Sequence, residues 1–254
     1  MTDSQALADE FDTMAKWTAD AVQELGPEHA IPAACRGSGS PAALEWLAKQ
    51  LRLGPDMRLL DSGAGVGGPA ELAAQRFSIA PVLAEPMIQA CQASARLFGR
   101  PVVVAAGQRL PFAAGVFDAV WSLGVLCTVE DQLELLTELR RVVRGGGLVG
   151  LLAFLRTVEQ LPDQPEGNHF PTAAELDKLL AAAGLTVVSS AELADFPAAD
   201  PDWQAAADRV SAVIEGRHGH DHRWQVAQQQ EQLIGELIQR QLVAGRLMVL
   251  QPDG

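Results

Sequence analysis

Two acidic residues and a run of glycines carry the first chemical signal in this chain. In Leu59-Leu60-Asp61-Ser62-Gly63-Ala64-Gly65-Val66-Gly67-Gly68, a short apolar run ends on a carboxylate and turns into glycines. Glycine lets the backbone turn sharply there and lets a ligand approach without a Cβ in the way. Gly63, Gly65 and Gly68 meet the spacing G-x-G-x-x-G, so the dinucleotide turn of a nicotinamide-dependent reductase is one reading. Asp61 favours another. A carboxylate at that strand end accepts hydrogen bonds from the amino group of a cationic ligand, whereas beside a pyrophosphate it would be repelled. Glu85 ends the next apolar run and is placed to take two ribose hydroxyls, a role both readings share.

The elements that must position these residues follow from apolar spacing. Leu7, Phe11, Met14, Val22 and Leu25 recur at helical intervals, and Gly26-Pro27 stops that helix. Residues 31–41 are small and read as a loop. A helix over 41–53 starts with Ser40 as N-cap and Pro41 at its first position. From residue 58 onward strands and helices alternate: strands over 58–61, 81–85, 101–105, 117–122, 147–154, 185–190 and 246–251, helices over 87–98, 132–144 and 173–183. Near-continuous apolar strands between helices imply a parallel sheet covered on both faces. Residues 195–245 interrupt it with two helices, 202–215 and 224–243. The histidines 218, 220 and 222 between them read as a mobile, solvated loop and not as a metal site, and no metal is expected.

With these residues in order, the chain resembles class I S-adenosylmethionine-dependent methyltransferases, in their ubiquinone/small-molecule branch. The likeness runs from about 55 to 190 through LLDSGAGVGG (59–68), LAEPM (83–87), LPFAAGVFDAVWSLGVLCTVED (110–131), ELRRVVRGGGLVGLLAF (138–154) and HFPTAAELDKLLAAAGLTVVSS (169–190). It implies an α/β, Rossmann-like, doubly wound seven-stranded sheet with the last strand antiparallel and a helical cap. The chain then divides into a cap segment (1–55), a core (56–194), a cap insertion (195–245) and a final strand (246–254). S-adenosylmethionine is the implied cofactor. Its implied contacts are Asp61, Gly63, Ala64, Gly65, Glu85, Pro86, Met87, Gly107, Gln108, Ser122 and Leu123, with Arg36 pairing its carboxylate. His169, on the rim where the family binds acceptors, is the candidate base.

The sequence departs from the family in three places. Ala106 stands where an acidic residue usually binds the adenine amino group, so Gly107 and Gln108 must supply that contact. Arg144-Gly145-Gly146-Gly147 lacks the usual proline, and Cys127 replaces a frequent histidine. The N/D-P-P-Y signature of many amine methylases is absent, and Ser122-Leu123-Gly124-Val125 stands in its place, which favours a small-molecule acceptor.

Composition narrows the remaining classes. The chain has 254 residues, 48% of them hydrophobic, enough for one sizeable core. A formal net charge of -13 repels phosphate backbones and anionic lipid, so neither nucleic acid nor membrane is an expected partner. Three separated cysteines make no disulfide framework, and neither a signal peptide nor a membrane span is read, so the expected location is cytoplasmic. A homodimer is left open. So is a protein that binds S-adenosylmethionine without catalysis.

Overall fold

In the computed structural model, which describes residues 3–253, seven strands form one sheet. They are β1 (Arg58–Ser62), β2 (Ala80–Glu85), β3 (Val102–Val104), β4 (Phe117–Leu123), β5 (Val143–Arg156), β6 (Leu185–Glu192) and β7 (Val243–Pro252), in the order β3-β2-β1-β4-β5-β7-β6. The first five pair in parallel. β7 runs antiparallel to both of its neighbours, β5 and β6. This is the doubly wound sheet expected from the sequence.

Strand parity divides the interior into two layers. Leu59, Leu83, Trp121, Leu152 and Leu247 enter one core, with Leu44 and Leu47 of α3 (Pro41–Gln50) and Leu72 and Ala73 of α4 (Gly68–Phe77). Leu60, Ala84, Val120, Leu151 and Met248 enter the other. There they meet Leu135, Leu136 and Leu139 of α6 (Gln132–Val142) and Leu176 and Leu180 of α7 (Ala173–Ala183). Both faces are dry, which is why the strands read as unbroken apolar runs instead of alternating ones. By the same parity Asp61 belongs to the α3/α4 side, where its register partner is Trp121.

Most helix starts carry their own caps. Ser40 Oγ accepts from the Ala43 N–H at 3.3 Å, and Thr172 with Glu175 forms a reciprocal capping box. The helix α5 (Ile88–Phe98) lacks a local cap, since Met87 offers none. Asp12 of α1 (Asp3–Leu25) supplies it from a distance: its Oδ1 accepts from the N–H of Gln89 at 2.6 Å and of Ala90 at 3.0 Å. Further along, Asp20 pairs with Arg96 at 2.8 Å, so the two helices run side by side in the same direction. Ala15 and Ala19 lie against Ala90 and Ala93, small residues that let the backbones approach closely.

Two more helices, α8 (Pro201–His218) and α9 (His222–Gln239), stand between β6 and β7. Val210 and Ile214 of α8 and Trp224 of α9 share a core with Trp17, Ala21 and Val22 of α1. From there α9 crosses toward the far end of β5. Leu237 packs with Cys127 and Phe170, and β7 then begins with Val243 opposite Arg156.

Several local expectations are corrected. The stretch read as a loop contains a short helix, α2 (Ala30–Ala34), after a 3-10 turn at Pro27–His29. It docks on the start of α4 because Gly68 has no side chain; a Cβ there would lie 2.5 Å from the Ala34 carbonyl carbon. Phe11, expected on the buried stripe of α1, is 48% exposed, and the Leu7 side chain lies outside those described. β5 and β7 both start early, at Val143 and Val243, because backbone pairing extends past the apolar runs. The histidine segment is a tight turn. His218 ends α8 with its ring stacked on Trp17, centroids 4.0 Å apart, and His222 opens α9.

Asp12→Ala removes the cap of α5 and is expected to cost about 1–2 kcal/mol of stability, with Asp12→Asn costing less. Urea denaturation of the three proteins checks this. Equal midpoints would mean that α5 does not need the bond from α1.

Candidate active site

The carboxyl ends of β1, β2 and β4 bring the strand-end residues together. Asp61 is 2% exposed. Burial pushes its pKa up to about 7; the neighbouring Trp121 indole N–H lowers it in part, and the charge of Glu85 raises it. Its Oδ2 has no hydrogen bond of good geometry, and neither has Trp121 Nε1. One oxygen of this desolvated carboxyl is thus left without a well-formed hydrogen bond, an expensive arrangement unless a ligand completes it.

The glycines differ in what they do. Gly63 and Ala64 donate to the Ala84 carbonyl at 2.8 and 3.2 Å, tying the turn to β2. A Cβ on Gly63 would lie 2.3 Å from Val125 Cγ2, and one on Gly67 2.6 Å from Leu83 Cδ2, so both are needed for packing. Gly65 has φ +53° and nothing within 4 Å of where a Cβ would be, so it is the glycine that faces open space. Its N–H donates to Glu85 Oε2 at 2.8 Å, and the Met87 N–H donates to Oε1 at 3.0 Å. One carboxylate therefore fixes two turns, and each of its oxygens keeps a lone pair for a vicinal diol. Burial raises the Glu85 pKa, the two N–H donors counter that, and the charge of Asp12 adds to it.

Other residues named from the sequence line the same edge. Ser122 Oγ donates to the Ser62 carbonyl at 2.9 Å, and Leu123 ends β4. Gly107 is held close: a Cβ there would lie 2.6 Å from Leu135 and 2.9 Å from Ser62 Oγ. Gln108 is half-buried, Ala106 and Pro86 are exposed, and Met87 packs beside Ala15 and Ala90. The segment after α2 crosses above β4, with the Gly37 carbonyl 3.3 Å from where a Gly124 Cβ would be. Buried Cys35 lies near enough to Asp61 that its charge adds to burial in holding the thiol well above the usual range.

The Arg36 and His169 side chains make their contacts away from Asp61 and Glu85. The Arg36 guanidinium pairs with Glu231 of α9 and reaches Ser211 of α8, so it ties the N-terminal segment to the cap. The His169 side chain is exposed. It lines an open groove of about 380 Å³ whose other walls include Glu130, Gln132, Glu175 and Leu179. Its backbone N–H donates to the Cys127 carbonyl, and burial pushes the Cys127 thiol up to about 12, which leaves it unreactive. Sequence reasoning missed Trp121 as the neighbour of Asp61 and missed Asp12. Strand parity could have found the first; the second rests on a contact 77 residues apart.

The donor set fits a cationic nucleoside: a buried carboxyl for an ammonium group, an open glycine, and a carboxylate poised for a diol. A pyrophosphate would meet Asp61 without compensation. The buried carboxyl also has a measurable cost. Its folded pKa lies above the unfolded value, so the folded state binds the extra proton, and stability is lost as pH rises from about 4 to about 7. Ligand-free protein should therefore melt at a lower temperature at pH 8 than at pH 5.5. Asp61→Asn should reduce that difference, the remainder coming from Glu10 and Glu85, as thermal denaturation at the two values would report. An unchanged pH dependence in the variant would place the cost elsewhere.

Comparison with known proteins gives a concordant result. Residues 60–151 match the methyltransferase domain family. A sarcosine/dimethylglycine N-methyltransferase of Halorhodospira halochloris is 34% identical over 125 residues, covering 46% of this chain and 43% of that protein. Cycloartenol-C-24-methyltransferase 1 of Oryza sativa subsp. japonica is 29% identical over 171 residues, covering 59% and 49%. The chain thus spans about half the length of the curated relatives it matches, or less. Among solved structures, the cyclase SpnF superposes with a TM-score of 0.68 at 19% identity, over 92% of this chain and 94% of that one. A shared fold is therefore not a shared reaction. The match to the methyltransferase domain falls on the part of the sheet that holds Asp61 and Glu85, and helices continue the chain on both sides of it.

Proposed function

We propose that the protein binds S-adenosylmethionine along the ends of β1, β2 and β4 and directs its methyl group to a small-molecule acceptor held under α9. The observation that carries this reading is the buried Asp61 carboxyl, whose Oδ2 has no hydrogen-bond partner, beside a Glu85 already oriented by two backbone donors. When bound, the cofactor supplies an electrophilic methyl group for in-line displacement. Asp61 accepts from its amino group, Glu85 takes the ribose diol, and Met87, Gly107 and Gln108 border the adenine. Arg36 reaches its carboxylate only by leaving Glu231, so binding and the cap contact compete for one guanidinium. Described helices include none long and apolar enough to cross a membrane.

The chain's part in the reaction is to align and to exclude water. α9 roofs the edge, anchored at one end on α1 and at the other on Cys127 and Phe170. His169 is the proposed base for an acceptor that needs one, met at the rim. The named acceptors of the two curated relatives, an N-methylated glycine and a sterol, are small molecules. A net charge of -13 opposes nucleic acid as the substrate, and three buried free cysteines suit a reducing cytoplasm. The second reading is a protein that binds the cofactor without moving its methyl group; one solved structure of the same fold, at 19% identity, is named a cyclase.

Calorimetry tests the site. Asp61→Ala and Glu85→Ala should each weaken binding of S-adenosylmethionine and of S-adenosylhomocysteine by roughly 1–3 kcal/mol, the range for lost bonds to a charged acceptor. Tight binding of NADH with none of S-adenosylmethionine would overturn the reading. The roof is tested by hydrogen exchange. Only Val210, Ile214, Trp224 and Leu237 are buried on α8 and α9, so their amides should exchange faster than those of β5 in free protein and slow on ligand binding. Exchange as slow as in β5 without ligand would make the cap a fixed part of the core.

A further inference from the structure

The cap holds polar groups for which the cofactor has no use. Glu10 is 4% exposed, and its Oε2 has no hydrogen-bond partner among the described residues. Burial pushes its pKa up to about 7. Its placement follows from the contacts of α1. Asp12, two residues further on, turns to α5 and caps it. Two residues are about 200° of rotation along a helix, so Glu10 faces away from α5. One and two turns along on its own side stand Thr13 and Trp17. Thr13 Oγ1 accepts from Arg223 Nη1 at 3.4 Å, and Trp17 packs with Trp224. The face that carries Glu10 is therefore the face α1 presents to α9.

Its height is fixed as well. α5 starts just beyond the end of β2, and Asp12 sits at the first turn of α5. Glu10, nearer the N-terminus of a helix that runs alongside, is level with the carboxyl edge of the sheet. Midway along the roof, Gln230 also buries its Oε1 without a partner. The arginines that reach across the cap are already paired: Arg36 with Glu231, Arg217 with Glu24, Arg223 with Asp221. The α1–α9 side of the cap thus offers a carboxylate and an amide oxygen that no hydrogen-bond partner satisfies, while its arginines are paired elsewhere. It would repel an anionic ligand and attract a cationic one.

We propose that Glu10 is the acceptor-binding carboxylate of this protein, and that the acceptor is a small amine that enters as its ammonium form, donates to Glu10 beneath α9, and passes that proton to the carboxylate so that its freed nitrogen lone pair can take the methyl group, with S-adenosylhomocysteine leaving. This rests on the cofactor reading above and adds the substrate class to it. Gln230 stands by as a second oxygen for another N–H or O–H of the same molecule.

The test uses protein saturated with S-adenosylhomocysteine, which leaves the methyl position free, and two probes of equal shape. N,N-dimethylethanolamine is protonated at pH 8, and isoamyl alcohol carries carbon in place of its nitrogen. Calorimetry should show the amine binding at least about tenfold more tightly than the alcohol. In Glu10→Gln the preference should vanish, while affinity for S-adenosylhomocysteine stays within about twofold. Glu10→Asp should keep part of the preference, a rescue that a change of fold would not give. Equal binding of the two probes to the unaltered protein, or binding of neither, overturns the proposal. So does a preference that survives Glu10→Gln. A loss of S-adenosylhomocysteine affinity in Glu10→Gln would assign the carboxylate to the cofactor instead. If the unaltered protein fails to bind S-adenosylhomocysteine at all, it is the cofactor reading that falls, before any probe is added.

Discussion

Two carboxylates, Asp61 and Glu85, end neighbouring strands with no cation between them, and the rest of the molecule is arranged to make that tolerable. A like-charged pair in a desolvated place is unfavourable. The fold answers in two ways. Glu85 receives two backbone N–H bonds, which partly offset the burial that raises its proton affinity and lock the glycine turn to the turn after β2. Asp61 receives only the Trp121 indole, and burial pushes its proton affinity up as well. This difference gives the two residues separate roles. Glu85 is oriented in advance by its donors, while Asp61 keeps an oxygen that no protein group satisfies.

The same edge is closed from above by elements outside the matched domain. α1 lends a side chain to cap α5, and Asp12 thereby sits close enough to Glu85 to raise its proton affinity. α2 seats its backbone on Gly68, and the chain beyond it passes over Gly124. The N-terminal helices are thus wired into the first two turns of the binding edge. They belong to the site as much as the glycines do, although the family likeness stops short of them.

Much of this is legible in the sequence, and the part that is not has a common cause. The strands over β1, β2 and β4 stand out because burial on both faces forces apolar runs, and Asp61 and Glu85 stand out because they break those runs at their ends. Ser40 and Thr172 are readable as caps because a cap and the N–H groups it accepts from are local. Asp12 is not, because its partners lie 77 and 78 residues away. Glu10 and Gln230 look like ordinary polar residues on amphipathic helices; only packing shows that Glu10 and the Gln230 side-chain oxygen are buried. The start of β7 at Val243 reads as the end of a helix because Leu242 and Val243 suit either period, and pairing with Leu155 and Arg156 decides it. His218 reads as loop because the sequence holds no hint of the Trp17 ring beneath it.

The antiparallel course of β7 has a consequence for how such proteins diversify. β6 ends and β7 begins at the same edge of the sheet, with Glu192 opposite Arg246 and an ion pair between them at 2.8 Å. In topological terms α8 and α9 are an enlarged hairpin loop, and the two points where it joins the sheet are already neighbours. The entropy of closing a loop grows only with the logarithm of its length. Inserting, shortening or exchanging the roof therefore leaves strand order and register untouched. A chain of this topology can exchange a helical insertion at one hairpin tip while the strand ends that carry Asp61 and Glu85 keep their places in the sheet.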